Sequence, residues 1–164
     1  MKVSLKIRNA AEFTKRLYKA ANIAIDGIIM ATNAACLDCI TLARSLPSPP
    51  DTFSKQPHQP NYIDHTGNLR QSIGAVVFFG GKEIWSSFGE GEGGLKGKNF
   101  ATEIATAEIA EKKLCGIIVA GMEYAKYVED NGYDVITGST LQLTDLLKKR
   151  LSEAKNAIND YKVR

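Results

Sequence analysis

The chain opens on an apolar period of two. In Lys2–Arg8, Val3, Leu5 and Ile7 alternate with polar residues, which predicts a half-buried strand. Asn9 then offers a helix cap, with Glu12 three residues on as its capping-box partner. From there the period changes. Phe13, Leu17, Ala20, Ala24, Ile28, Ala31, Ala35, Cys39 and Leu42 step by threes and fours, one continuous stripe that predicts a helix over Ala10–Arg44. At 1.5 Å per residue it would be roughly 50 Å long, more than a small domain needs, so it would be the spine of the fold or reach a neighbour. All five prolines fall between Pro47 and Pro60, which predicts a loop over Leu46–Asp64. A loop of that length is usually functional or mobile.

Thr66–Ser72 has room for one helical turn. Ile73–Phe79 and Lys82–Phe88 are β-rich and flank Gly80-Gly81, a two-residue hairpin signal. A regular hairpin would pair Val77 with Ile84, Ala75 with Ser86 and Val76 with Trp85. Both faces carry apolar bulk, so each expects a cover. Gly89–Asn99 holds five glycines in eleven residues, which predicts a mobile arm and not a regular element. Helical spacing returns in Phe100–Lys113. Leu114–Gly121 is a strand, and Met122–Asn131 a short helix ended by Gly132. A last helix, capped by Ser139 with Gln142, carries the stripe Leu143, Leu147, Leu151, Ala154, Ile158 and Tyr161. The order is not a regular βαβ alternation. It predicts one α+β domain over residues 1–164: a small, mainly antiparallel sheet of about four strands packed against a long N-terminal helix and a C-terminal helix.

Composition adds limits. The 164 residues are 44% hydrophobic and 24% charged, ordinary for a globular chain and against wholesale disorder. Three cysteines do not make a disulfide framework. No signal peptide is visible at the start, and the most apolar stretch, Ala20–Ala31, is interrupted by Asn22 and Asp26, so no membrane span is expected. The net charge of +3 is too mild to mark a nucleic-acid binder. Its distribution says more. Residues 1–20 carry six bases against Glu12, 83–111 carry six acids against Lys96 and Lys98, and 145–164 return to a net +3. Opposed patches suit self-association or docking to a charged partner, and solvated faces give the same pattern.

Candidate chemistry is sparse. Cys36-Leu37-Asp38-Cys39 is a C-x-x-C, but it lies late in a helical stripe and not at the helix start where a dipole would lower a thiol pKa. Joined to His58 and His65, its spacing is poor for zinc. The glycine-rich segment fails the phosphate-loop pattern at Glu92 and Asn99. His65 has no nucleophile marked beside it, and Glu129-Asp130 reads as a surface turn. Lys148-Lys149-Arg150 offers a basic run without aromatic interleaving. The residues therefore nominate no catalytic, cofactor-binding or metal-binding site and no small-molecule substrate. Two alternatives stay open: a small nucleic-acid-binding or regulatory domain using the basic termini, and a metal or histidine-loop enzyme.

Two segments carry a resemblance. One is Asp64-His65-Thr66-Gly67-Asn68-Leu69-Arg70-Gln71-Ser72-Ile73, running into the Gly-Gly hairpin. The other is Gly121-Met122-Glu123-Tyr124-Ala125-Lys126-Tyr127-Val128-Glu129-Asp130-Asn131-Gly132. Together they resemble the "TGNLR-SI" and "YA-YVE-G" segments of the small tail-component family of long-tailed bacteriophages, the tail-completion or head–tail joining (neck) proteins. The N-terminal strand and long helix are similar to that family too. The chain departs from it at Asp130-Asn131-Gly132, where the family has "G-T", and at Ile136–Ser139, where it has a proline-containing segment. The resemblance implies an α+β fold related to tail-terminator and tail-tube proteins. It implies a non-enzymatic virion protein, prophage-encoded, present in the host cytoplasm during assembly. Such a protein would form a ring with copies of itself and with tail-tube or connector components, through edge strands and complementary charged faces. The interface candidates it nominates are Asn68, Leu69, Arg70, Tyr124, Val128 and Glu129. Leu69 would point inward and Arg70 toward a partner. Tyr124 and Val128 would pack together on the sheet, with Glu129 facing a base on an adjacent copy.

Overall fold

The computed structural model describes residues 9–45, 62–108 and 114–162. The strand expected at Lys2–Arg8 and nearly all of the proline-rich loop, with His58, lie outside the described residues. The elements are α1 (Ala10–Ser45), α2 (Asn68–Ser72), β1 (Ile73–Phe79), β2 (Lys82–Ser87), α3 (Gly91–Glu108), β3 (Leu114–Ala120), α4 (Ala125–Asp130), α5 (Thr137–Leu141) and α6 (Leu143–Lys162). The three described strands form an antiparallel sheet in the order β2-β1-β3. The fold is α+β, as the element order predicts.

The centre of the sheet is β1, Ile-Gly-Ala-Val-Val-Phe-Phe, buried at every position but the last. A strand that is apolar on both faces needs two covers. One face turns Ile73, Ala75 and Val77 onto α1, where Cys36, Ile40 and Ala43 meet them with Leu69, Met122 and Val135. The other turns Val76 and Phe78, with Val119 of β3, onto Ala101 and Ala105 of α3. Helix α6 runs antiparallel to α1. Ile158 approaches Gly27, and Arg150 pairs with Asp38.

The hairpin departs from the regular pairing. Phe79↔Lys82 and Phe78↔Glu83 follow from the Gly80-Gly81 turn, but the register then shifts, giving Val77↔Trp85, Val76↔Ser86 and Ala75↔Ser87. One extra residue in β2 makes a bulge. It moves Trp85 to the α1 side of the sheet, where it packs on the larger core.

The glycine-rich segment is the larger correction. Gly91–Gly97 is the first part of α3 and not a mobile arm; Gly93, Gly94 and Gly97 are buried. These glycines lose little by being helical because they let two backbones touch. A Cβ on Gly93 would stand 2.2 Å from the Asn68 carbonyl oxygen, and one on Gly97 would stand 2.3 Å from that of Ser72. Gly121, just past β3, lies against the Gly97 backbone, where an added Cβ would meet the Gly97 Cα at 2.3 Å. Helix α3 thus lies directly on α2 and on the end of β3. No side chain larger than hydrogen fits at the joint, and the close approach outweighs glycine's helix penalty of about 1 kcal/mol per residue.

The C-terminal helix also differs from expectation. Ser139 is buried inside α5, where its hydroxyl donates to the Ile136 carbonyl and caps nothing, and a turn at Gln142 separates α5 from α6.

Gly97→Ala is expected to lose about 3 kcal/mol or more of folding stability in urea denaturation, because the obstructing atom is backbone and cannot rotate away. Gly27→Ala meets only the end of the flexible Ile158 side chain and is expected to lie within about 1 kcal/mol of the parent.

Candidate functional site

The two segments that carry the resemblance lie far apart in sequence and meet in the fold. The Gly121 N–H donates to the Ser72 carbonyl at 3.2 Å, and the ladder from Ile73↔Ala120 continues the contact along β1 and β3. Each segment is held by a carboxylate at its end. In the first, Asp64 Oδ2 accepts from the Arg70 N–H at 2.8 Å and Thr66 Oγ1 accepts from the Asn68 N–H at 3.3 Å, so side chains cap α2 where the left-handed Gly67 cannot. In the second, Glu129 Oε1 accepts from the N–H groups of Val135, Ile136 and Thr137 at 3.2, 2.9 and 3.0 Å, and from Thr137 Oγ1 at 2.9 Å. Glu129 therefore ties the end of α4 to the start of α5.

The nominated interface residues separate into two groups. Leu69 is fully buried, and Val128 is half-buried against the same core, so both hold this chain together. Glu129 is engaged by backbone N–H groups of its own chain. Tyr124 precedes the first turn of α4 and does not share the packing of Val128; it stands 40% exposed, and Tyr127 beside it is more exposed still. Asn68 and Arg70 are half-buried. The Arg70 guanidinium lies 5.8 Å from the ring centroid of Tyr62, a cation–π contact within the chain.

An open cavity of about 340 Å³ lies beside Glu129, lined also by Asp130, Tyr133, Asp134 and Thr137. Asp134 Oδ1 accepts from the Gly138 N–H at 2.9 Å. Among the described residues no group of three His, Cys, Asp or Glu side chains is placed to hold a metal ion. His65 is exposed.

Cys36 and Cys39 are buried in the interior of α1. Burial, with the two other thiols nearby, pushes the Cys36 thiol up to about 11, and burial raises Cys39 as well. Neither is a thiolate at neutral pH, as the helix-interior position of the C-x-x-C predicts.

Several charges of the acidic and basic stretches are paired within the chain. Glu83 pairs with Lys98, and Lys96 lies between Glu92 and Glu123. In the basic run of α6, Lys148 pairs with Asp145, while Arg150 grips Asp38 through Nε at 2.7 Å and NH2 at 2.8 Å and also reaches Glu153. The Arg150 hydrogen bonds outweigh burial and hold the Asp38 carboxyl below its ordinary range. Sequence reasoning missed this pair because nothing local links residues 112 positions apart.

By length and composition alone α1 is long and apolar enough to cross a membrane, although its C-terminal part is the core helix of the sheet. The expectation of no span rested on the shortness of Ala20–Ala31 and on Asn22 and Asp26, which lie within this helix. Comparisons with protein-family models, with curated proteins and with solved structures found no match.

Burial raises the Glu129 carboxyl, but the hydrogen bonds from Ile136, Thr137 and Val135 outweigh it, so its pKa in the folded state lies below the usual value. The stability this contributes is present above the unfolded pKa and is lost as pH falls through the folded value. Glu129→Ala is expected to cost about 2 kcal/mol at pH 7 by leaving backbone donors unpaired, and to flatten the acid limb of stability below about pH 4.5 in urea titrations. Iodoacetamide at pH 8 is expected to label Cys36 and Cys39 in unfolded protein at least about a hundredfold faster than in folded protein, read by mass spectrometry.

Proposed function

We propose that this protein is a non-enzymatic structural component of a long-tailed bacteriophage, acting in the head–tail joining or tail-completion region by assembling as a ring. The observation that supports it most is the meeting of the two resembling segments at the Ser72–Gly121 hydrogen bond. Residues shared with a structural family are those that fix its fold. Here Leu69 and Ile73 enter the core, Gly67 turns into α2, Ala125 packs under α4 and Glu129 ties α4 to α5. The resemblance therefore falls on residues that shape the subunit, and the surfaces that join subunits are to be sought elsewhere. Its partners are copies of itself and the tail-tube or connector proteins on either side, and its place is the virion, reached from the host cytoplasm.

One feature favours work done by surfaces. Both outer strands, β2 and β3, leave one edge without a neighbour among the described strands, and an unpaired edge is a template for another chain. A closed ring of heterologous contacts would use two different faces of each copy.

Deletion of the gene from an inducible prophage is expected to leave filled heads and separate tails under the electron microscope. Infectious titre would collapse and return on complementation in trans. Unchanged titre with joined particles would refute the assignment.

A further inference from the structure

The strand expected at Lys2–Arg8 runs straight into α1 at Asn9. It lies outside the described residues, but its pattern is plain: Val3, Leu5 and Ile7 alternate with Lys2, Ser4, Lys6 and Arg8. A strand by itself leaves its backbone groups and its apolar side without a partner, so it needs a sheet to join. Helix α1 decides which sheet that is.

Contacts between α1 and the sheet fix where the sheet lies along the helix. Arg44 Nε donates to the Ile73 carbonyl at 2.9 Å. About two turns back, a Cβ on Gly116, which pairs with Val77, would stand 3.1 Å from Cys36 Sγ and 3.6 Å from Thr32 Cγ2. From Ile73 to Val77 the strand rises roughly 13 Å, and from Arg44 to Cys36 the helix rises roughly 12 Å, so the two run nearly side by side in opposite directions. The sheet ends a little further on, at Phe79↔Leu114, roughly level with residue 30 of α1. From that level to Asn9 the helix continues for roughly 30 Å, and every residue from Asn9 to Asn22 is exposed. A segment as long as Lys2–Arg8 spans at most about 25 Å when fully extended. It ends short of its own sheet whichever way it turns, and no part of it comes alongside a strand of its own chain.

The two open edges differ. Strand β2 has devices that keep an edge from pairing: the bulge, and Lys82 and Glu83 at its start. Strand β3 has none. Its run Leu-Cys-Gly-Ile-Ile-Val-Ala is uncharged, is registered on β1 through seven pairs without a shift, and matches Lys2–Arg8 in length.

We infer that Lys2–Arg8 of one copy adds to the free edge of β3 in the next copy, carried there by the projecting part of α1. The inference rests on the ring reading, which supplies the next copy. A second copy is the occupant because every chain has both the strand and the edge, and holds them apart by the length of the helix. Each copy gives a strand at one place and takes one at another, the heterologous contact that closes a ring. Main-chain hydrogen bonds hold the added strand. Its apolar side extends the face of Leu114 and Ile118 on the larger core, and Ser4 and Lys6 fall on the face of Cys115. Charge agrees: residues 1–20 carry the excess of base, and 83–111, which hold α3 beside β3, carry the excess of acid.

The test uses the full chain in four forms: wild type, Leu5→Pro, Ser4→Cys, and the two substitutions together. Proline removes a ladder donor outside the body of the fold, so helix content by circular dichroism is expected to stay at the wild-type value. Sedimentation is expected to show a wild-type oligomer and at least about tenfold weaker association of Leu5→Pro. Cys115 is half-buried while Cys36 and Cys39 are buried. A short bis-maleimide is therefore expected to join Ser4→Cys chains into a ladder through peptides holding positions 4 and 115, read by mass spectrometry, and to lose that link when Leu5→Pro is added. If Leu5→Pro associates like the wild type, this strand is refuted and the ring reading stands on another surface. Wild-type protein that stays monomeric at about 100 µM refutes strand exchange between copies, while prophage deletion remains the separate test of the ring. Two further results would overturn the inference. One is a link from 4 to 115 within a single chain. The other is a ladder that forms through an added Ile84→Cys and not through Cys115, which would give the strand to β2.

Discussion

The fold depends on a contact between two backbones. Gly93 and Gly97 stand one turn apart on α3 and lie on the carbonyl groups of Asn68 and Ser72 in α2. That contact fixes where α2 ends, and so where Ile73 begins the central strand. The same Ser72 carbonyl accepts from Gly121, which anchors the end of β3. Because β3 is registered on β1 through seven residue pairs, one contact at the joint positions the whole ladder. Helix α3 then lies across the Val76 and Phe78 face and closes the second core. A methyl group at either glycine would lift α3 from both α2 and the sheet together, so the cost would not stay local.

The elements set by side-chain period were legible: the long helix, the hairpin strands, Leu114–Ala120, and the short helix ended by Gly132. Those set by tertiary contact were not. Composition alone makes five glycines in eleven residues an arm, since glycine is poor in an isolated helix. The signal that pointed the other way was Gly93-x-x-x-Gly97, two glycines on one helical face, which favours close approach over flexibility. The hairpin register failed for a similar reason. Phe79↔Lys82 follows from the turn, but the bulge between Val77 and Phe78 answers the demand of Trp85 for the larger core, which no local pattern states. Ser139 with Gln142 matched a capping box in sequence, yet burial of Ser139 in α5 overrode it. At the site, the two resembling segments were legible but their roles were not. Leu69 and Glu129 hold this chain, and only the structure shows which atoms they meet.

The electrostatics follow the same division between the body and its surface. Most ion pairs here are exposed and span three or four residues of one helix, such as Glu12–Arg16 and Lys126–Asp130, and contribute little. Asp38–Arg150 differs. It is two-pronged, about two-thirds buried on both partners, and joins α1 to α6 across most of the sequence. Glu129 likewise works on backbone donors that would otherwise be unpaired at the α4–α5 junction. The charges that matter to the fold are therefore those that bind separate elements. Apart from Lys96–Glu123 and Asp38–Arg150, the described ion pairs of the uneven stretches join charges of the same stretch.

Helix α1 shows how one element can serve two purposes. Where this chain covers it, its buried residues are mostly small: Ala31, Ala35, Cys36, Cys39 and Ala43, with Ile40 the exception. Small residues let α6 and the sheet approach closely, with bulk supplied by Ile158 on one side and by Val77 and Trp85 on the other. Where nothing described covers it, the pattern reverses to Phe13, Leu17 and Tyr18. The extension itself costs little to form. It propagates from a helix already fixed by the body, with no new nucleus, and Glu12–Arg16 and the Phe13 N–H to Asn9 carbonyl bond close its first turns. Keeping large apolar side chains wet is the expensive part, because the transfer free energy of that surface goes unrealised. The helix is thus small-sided where the described residues pack on it and large-sided where they do not, so its bulk lies outside the packing that holds the body together.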